Sequence, residues 1–300
     1  SVFDDEVDIL IDLIGYTSSA RLGVFAARPA PVQAAWLGYF ATTGLDRVDH
    51  VLADPLTLPP EDEHLYAERV WRLPHTRLCL TPPDVDIAVS PLPALAHGHV
   101  TFGCCNNLNK INDVVLGAWS RILAALPGSR LLVKTQELAL EATAQAFRQR
   151  LEHAGIPLQR VDLEAGSPRA DYLGTHHRID IGLDPFPYTG GTTTAESLWM
   201  GVPVLTLAGQ SMLSRQGQGL LVNAGLPDWV ARDTDEYVGK AVAFAQDLDA
   251  LARLRQGLRA QVLASPIFDA DAFADEFNQA LRGMWRRWCD SQQAGATISS

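Results

Sequence analysis

Asp184-Pro-Phe-Pro-Tyr-Thr-Gly-Gly-Thr-Thr-Thr-Ala-Glu-Ser-Leu-Trp199 joins the end of a buried strand, a glycine turn and the start of a helix in one run. Ahead of it, Arg178 to Asp184 alternates like a strand, and beyond it Ala195, Leu198 and Trp199 recur at helical spacing. Gly190 and Gly191 lack a Cβ, so the backbone can turn sharply and approach a ligand. Thr192 and Thr193 fall where the helix begins, and its free amides and positive end would favour an anion. Glu196 has two readings. With Thr193 it matches the S/T-x-x-E capping box, and one turn inside the helix it is also placed to accept hydrogen bonds from ribose hydroxyls.

Working outward, Val100-Thr-Phe-Gly-Cys-Cys105 reads as a strand, followed by a polar loop and a helix with Val115, Trp119, Ile122, Leu123 and Leu126 on one face. Leu131–Val133, a helix about Ala139 to His153, Val161–Leu163, Ile179–Ile181 and Val202–Leu207 continue the alternation, which predicts a parallel sheet covered by helices. Ligands of such sheets collect beyond the carboxyl ends of the strands. Two loops therefore stand out, the glycine turn and Asn106-Asn-Leu-Asn-Lys-Ile111. Lys110 is the cation of the latter, placed to neutralise a diphosphate or, equally, to make a surface ion pair. With no acidic cluster suited to Mg2+ in the pattern, the expected diphosphate site is metal-independent.

Toward the N-terminus, Val7–Ile14 reads as a buried strand that starts almost at the first residue, a second strand is entered from Arg28-Pro-Ala-Pro-Val-Gln33, and Val51–Asp54 makes a third. Prolines 82, 83, 91 and 93 mark a break in periodicity. The expected division is a partial first Rossmann-like domain over 1–80, a linker over 81–95, a second domain over 96–270 and a C-terminal helix and tail over 271–300. The tail is read as helical from Asp233 to Ala264 and from Ala270 to Cys289, with Trp285 and Trp288 packing on a domain surface.

Composition narrows the function classes. The 300 residues carry a net charge of −11 with 47% hydrophobic content, which argues against a general nucleic-acid or anionic-membrane surface, so a phosphate site must be locally positive. No apolar run approaches a membrane span and the first residues lack a signal-peptide design, so a cytoplasmic protein is expected. The four cysteines, Cys79, Cys104, Cys105 and Cys289, show no metal or C-x-x-C spacing and read as reduced and structural. His176-His177 reads as a surface pair.

Taken in order, Asp8-Ile-Leu-Ile-Asp-Leu-Ile-Gly-Tyr-Thr17, Val24 to Gln33, Trp36-Leu-Gly-Tyr39, Asn106 to Ile111, Asp184 to Pro203 and Ser214-Arg215 resemble the catalytic region of the O-linked N-acetylglucosamine transferase family, including its bacterial and plant SPINDLY-type members. The resemblance covers nearly the whole chain. It implies an α/β fold of GT-B type, two Rossmann-like domains facing a cleft, with the first lacking its N-terminal strands here. It also implies inverting transfer of N-acetylglucosamine from UDP-GlcNAc to protein serine or threonine hydroxyls, without a metal or other cofactor.

By position the resemblance gives Lys110 the catalytic contact to the diphosphate, with Asn107 beside it. Gly190, Gly191, Thr192 and Thr193 correspond to the phosphate-binding turn and Glu196 to a ribose-binding carboxylate. Ser167, Arg169, Tyr172 and Thr175 correspond to the segment around the base, and Leu37, Gly38 and Thr42 to a loop near the sugar and acceptor. The family's upstream Asp-Phe…His-Pro motif and its acceptor-presenting tetratricopeptide helices are not in these residues, which is the pattern expected of a truncated catalytic region. Tyr172 replaces a common histidine and Phe40-Ala41 a common Pro-Gly. Two alternatives stay open, an O-fucosyltransferase using GDP-fucose and a non-catalytic nucleotide-binding remnant.

Overall fold

The computed structural model describes residues 2–298, with side chains through residue 294. The chain divides into two compact units, one of Ser1–Cys79 with Asp269–Ser300 and one of Leu80–Phe268.

The first unit is built on a four-stranded sheet of β1 (Ile9–Asp12), β2 (Val32–Ala35), β3 (His50–Ala53) and β4 (Arg69–Arg72), all parallel and in chain order. Because side chains alternate along a strand, Val32 and Ala34 face one side of β2 and Gln33 the other. The first face, with Leu52 and Leu73, packs against Ala280 and Met284 of the long helix Ala270–Ile298, flanked by Trp285 and Trp288. On the second face Gln33 donates to the Phe25 carbonyl at the end of the short helix Leu22–Ala26. The helix after residue 270, read in sequence as packing Trp285 and Trp288 on a domain surface, covers this face of the sheet, which buries its apolar side. β4 went unread in the sequence since Arg-Val-Trp-Arg is too short and too charged to show alternation.

The second unit carries a six-stranded parallel sheet of β5 (Thr101–Cys104), β6 (Arg130–Lys134), β7 (Val161–Glu164), β8 (Ile181–Leu183), β9 (Val204–Leu207) and β10 (Val230–Ala231). Their spatial order is β7-β6-β5-β8-β9-β10. This is the doubly wound 3-2-1-4-5-6 order, whose direction reverses between β5 and β8. The run Asp233–Ala264, expected as one helix, is two, Thr234–Gln246 and Leu248–Leu263; Asp247 ends the first and caps the second by accepting from the Ala250 amide at 2.9 Å.

The expected linker is bound along its length to the second unit. Val85 and Ile87 pack on Leu173, Trp199 and Met200, Arg259 donates to the Ile87 carbonyl at 2.7 Å, and Arg255 donates to the Ser90 carbonyl at 2.8 Å. Prolines break its periodicity without freeing it, because its backbone carbonyls find arginine donors in place of a ladder.

Candidate functional site

The loops after β5 and β8 leave the sheet at the point where strand order reverses, the place where open parallel sheets receive ligands. Asp184 ends the β8 run and is buried. It accepts from the Gly190 amide at 2.7 Å and the Thr206 hydroxyl at 2.8 Å, so the carboxylate folds the turn back on its own strand. Burial pushes Asp184 up to about 6, opposed by those two hydrogen bonds and by Lys110. Gly190 has no room for a Cβ, which would sit about 3.0 Å from the Asp184 carboxylate and 2.9 Å from the Thr193 hydroxyl.

Asn106 joins the two loops. Its amide oxygen receives Lys110 Nζ at 3.3 Å and Thr193 Oγ1 at 3.1 Å, while its nitrogen faces Asp184 at 3.5 Å. The amide orientation follows from its neighbours, two donors on one side and a carboxylate on the other. Lys110 also donates to the Thr189 carbonyl at 3.1 Å and stands 4.1 Å from the centre of the Tyr188 ring. Two ammonium protons are thus directed into the protein, and the face of the Tyr188 ring lies beside the nitrogen. Burial lowers the Lys110 pKa, with Asp184 opposing the shift.

The helix Thr192–Trp199 starts after Gly191 with no side-chain cap. The expected capping box does not form. Thr193 donates to Asn106, and Glu196, 8% exposed, pairs with Arg169 at 2.6 Å, so both members are used across the site and the first helical amides keep no intrahelical acceptor. The Asn107 side chain accepts from the Asn109 amide at 2.8 Å as a local cap, and its neighbour Asn106 reaches the turn.

Around Glu196, Arg169 lies 5.8 Å over the Tyr172 ring, whose hydroxyl is buried without a hydrogen-bond partner. Burial is the main reason the Tyr172 pKa is raised. Ser167 is exposed on the segment before the short helix Arg169–Gly174, and Thr175 is buried at its end with its hydroxyl turned back to the Asp171 carbonyl at 3.2 Å. His176 is fully buried, against the expectation of a surface pair. Its ring nitrogens lie 3.1 Å from the Leu173 carbonyl and 3.1 Å from Ser197 Oγ, and burial holds its pKa down at about 4. His177 is the more exposed neighbour, bonded to the Ala88 carbonyl at 2.9 Å. Cys104 and Cys105 are free thiols whose pKa values burial pushes up, Cys105 to about 12. Protonated thiols of this kind are unreactive.

In the first unit, Leu37 adopts φ 75 and Gly38 lies against the Leu13 carbonyl, to which its amide donates at 3.1 Å. The Leu37 carbonyl accepts from Arg77 at 2.5 Å, and the buried guanidinium lies 5.0 Å from the Phe40 ring centre. Thr42 donates to the buried Glu68 carboxylate at 2.7 Å, which also accepts from the Thr43 amide at 2.6 Å. Arg77 and Glu68 escaped sequence reading because each lies some twenty-five to forty residues from the loop it holds.

Among the described residues, no three His, Cys, Asp or Glu side chains gather in a metal-binding group, and no helix is long and apolar enough to cross a membrane.

The model of glycosyl transferase family 41 matches residues 1–80 and 83–277. The Petunia hybrida protein described as a probable UDP-N-acetylglucosamine–peptide N-acetylglucosaminyltransferase SPINDLY is 44% identical over 288 residues, 96% of this chain and 31% of that protein. A solved mutant of the Thermobaculum terrenum O-GlcNAc transferase superposes with a TM-score of 0.90 at 40% identity, covering 97% of this chain and 55% of that one. This match gives the α/β fold its GT-B class. A sucrose-phosphate synthase from Thermosynechococcus elongatus, at TM-score 0.52 and 15% identity over 80% of this chain and 59% of its own, shares the fold alone. The chain spans about a third of the length of the curated relative it matches. A match that runs through both units and takes in the Lys110 loop and the glycine turn leads to one conclusion: this chain belongs to glycosyl transferase family 41.

Proposed function

We propose that the chain carries the nucleotide-sugar half of an inverting transferase that moves N-acetylglucosamine from UDP-GlcNAc to protein serine or threonine hydroxyls. One observation carries the reading: Lys110 and the uncapped start of the Thr192–Trp199 helix converge on Asn106 at the switch point of the sheet. In the reaction the acceptor hydroxyl oxygen bonds to the anomeric carbon from the face opposite the diphosphate and releases its proton to solvent, the bond from that carbon to the diphosphate oxygen breaks, and UDP leaves with the bonding pair. Lys110 and the helix amides meet that developing charge, which removes the need for a metal ion. Glu196 takes the ribose hydroxyls, and Arg169 and Tyr172 border the base, with Ser167 beside them. The named relatives favour UDP-N-acetylglucosamine over GDP-fucose as donor. We also place the protein in the cytoplasm, where its free cysteines would stay reduced.

The test is transfer of labelled N-acetylglucosamine to a serine- and threonine-containing peptide. The chain should release UDP in proportion to label transferred, and Lys110→Ala should lower the rate about 100-fold or more, the scale of losing a principal charge-stabilising donor. Unchanged turnover in that variant would remove Lys110 from the chemistry.

A further inference from the structure

The first unit contains a cavity of about 450 Å³ that none of the chemistry above uses. Its lining includes Val32, His50 and Arg69, the first residues of β2, β3 and β4, and it is closed by Arg287 and Trp288 of the Ala270–Ile298 helix. The strands are parallel, so the cavity lies at the amino ends of the sheet, the end opposite the Leu37–Thr42 loop that follows β2.

Its charges are unevenly paired. Arg28 is joined to Asp49 at 2.9 Å, and Asp49 also accepts from the Gln33 amide at 2.8 Å, so that carboxylate is occupied. Arg69 and Arg287 have no carboxylate partner among the described residues, and Asp46, the remaining acid of the lining, is exposed. His50 is 4% exposed, stacks edge-on to Trp71, and buries its Nδ1 without a hydrogen-bond partner. A buried polar atom left without a partner costs stability unless something fills its need. Burial lowers the His50 pKa and the charges of Arg287 and Arg69 add to the shift, with Asp49 and a hydrogen bond to the Arg69 backbone opposing; Arg287 also lies 5.5 Å from the centre of the Trp71 ring.

We propose that this cavity binds a small organic phosphate, held by the guanidinium groups of Arg69 and Arg287. Guanidinium forks match phosphate oxygens in pairs. The volume exceeds that of a bare phosphate and lies within the roughly 300–1,000 Å³ of small-molecule pockets, with Trp288 as a wall for the organic part.

Calorimetric titration with phenyl phosphate and with inorganic phosphate tests this. Phenyl phosphate should bind saturably and more tightly than inorganic phosphate, and the Arg69→Gln/Arg287→Gln variant should weaken it at least tenfold while Lys110→Ala leaves it unchanged. Arg287→Gln alone, an exposed helix position, gives the same reading with a smaller loss if the double variant fails to fold. Absence of saturable binding, equal binding by the arginine variants, or loss of binding in Lys110→Ala would each overturn the proposal.

Discussion

Thr193 Oγ1 donates to Asn106 Oδ1 at 3.1 Å, and that bond fastens the helix after β8 to the loop after β5. The same oxygen receives Lys110. Thr193→Val keeps the shape and deletes the donor, so Asn106 should hold Lys110 less firmly. The expected result is about a tenfold loss of nucleotide affinity, from a net hydrogen-bond contribution of about 1 kcal/mol plus the loosened ammonium. Calorimetry with UDP checks it, and an unaltered dissociation constant would show that the coupling does not matter to the ligand.

Glu196 and Arg169 form a 2.6 Å ion pair that the nucleotide must share or displace. The acid is buried and the arginine half-exposed, so the pair's worth lies in orienting the carboxylate more than in stability. Glu196→Gln should weaken UDP binding about 10- to 100-fold, the range of about 1.5–3 kcal/mol for hydrogen bonds to a charged group. UDP and 2′,3′-dideoxy-UDP compared by calorimetry give the check. If the variant loses equal affinity for both, Glu196 does not read the ribose.

Asp184 and His176 should make opposite contributions to stability over nearly the same pH range. Asp184 is raised from 3.8 to about 6, so between those values the folded chain holds a proton that the unfolded chain has released, and stability falls as pH rises. His176 is lowered from 6.5 to about 4, so there the unfolded chain holds the extra proton and stability rises with pH. Each change is on the order of 3 kcal/mol and the two largely offset. Relative to the unmodified chain, Asp184→Asn should steepen the rise in stability from pH 4 to 6.5 and His176→Asn should reduce it. Urea unfolding at pH 4.5 and 6.5 measures both, and parallel pH dependences in all three proteins would refute the assignment.

Much of the site was legible because it is local. A glycine pair, a threonine run and a carboxylate one turn later are written within a dozen residues, and strand–loop–helix alternation placed the Lys110 loop beside them. What escaped were partners set by the sheet. Asn106 reaches the turn while Asn107 accepts from the Asn109 amide, an arrangement that loop geometry makes. Asp184 reads in sequence as the end of a strand, but its role as anchor depends on Thr206, brought alongside by β9. The Thr193–Glu196 spacing fits a capping box equally well, and only the positions of Asn106 and Arg169 decide against it. The Ala270–Ile298 helix shows its amphipathic face in sequence without naming the sheet it covers, since periodicity records a buried side and not its partner.

Lys110 and the glycine turn are assigned to the diphosphate of a uridine nucleotide, and calorimetric titration of the chain and its Lys110→Ala variant with UDP, UDP-N-acetylglucosamine and GDP measures whether they hold it. UDP and UDP-N-acetylglucosamine should bind the chain, GDP should bind at least tenfold more weakly, and the variant should lose most of the UDP affinity. Equal UDP binding by the two proteins, or no binding of any nucleotide to either, would contradict it.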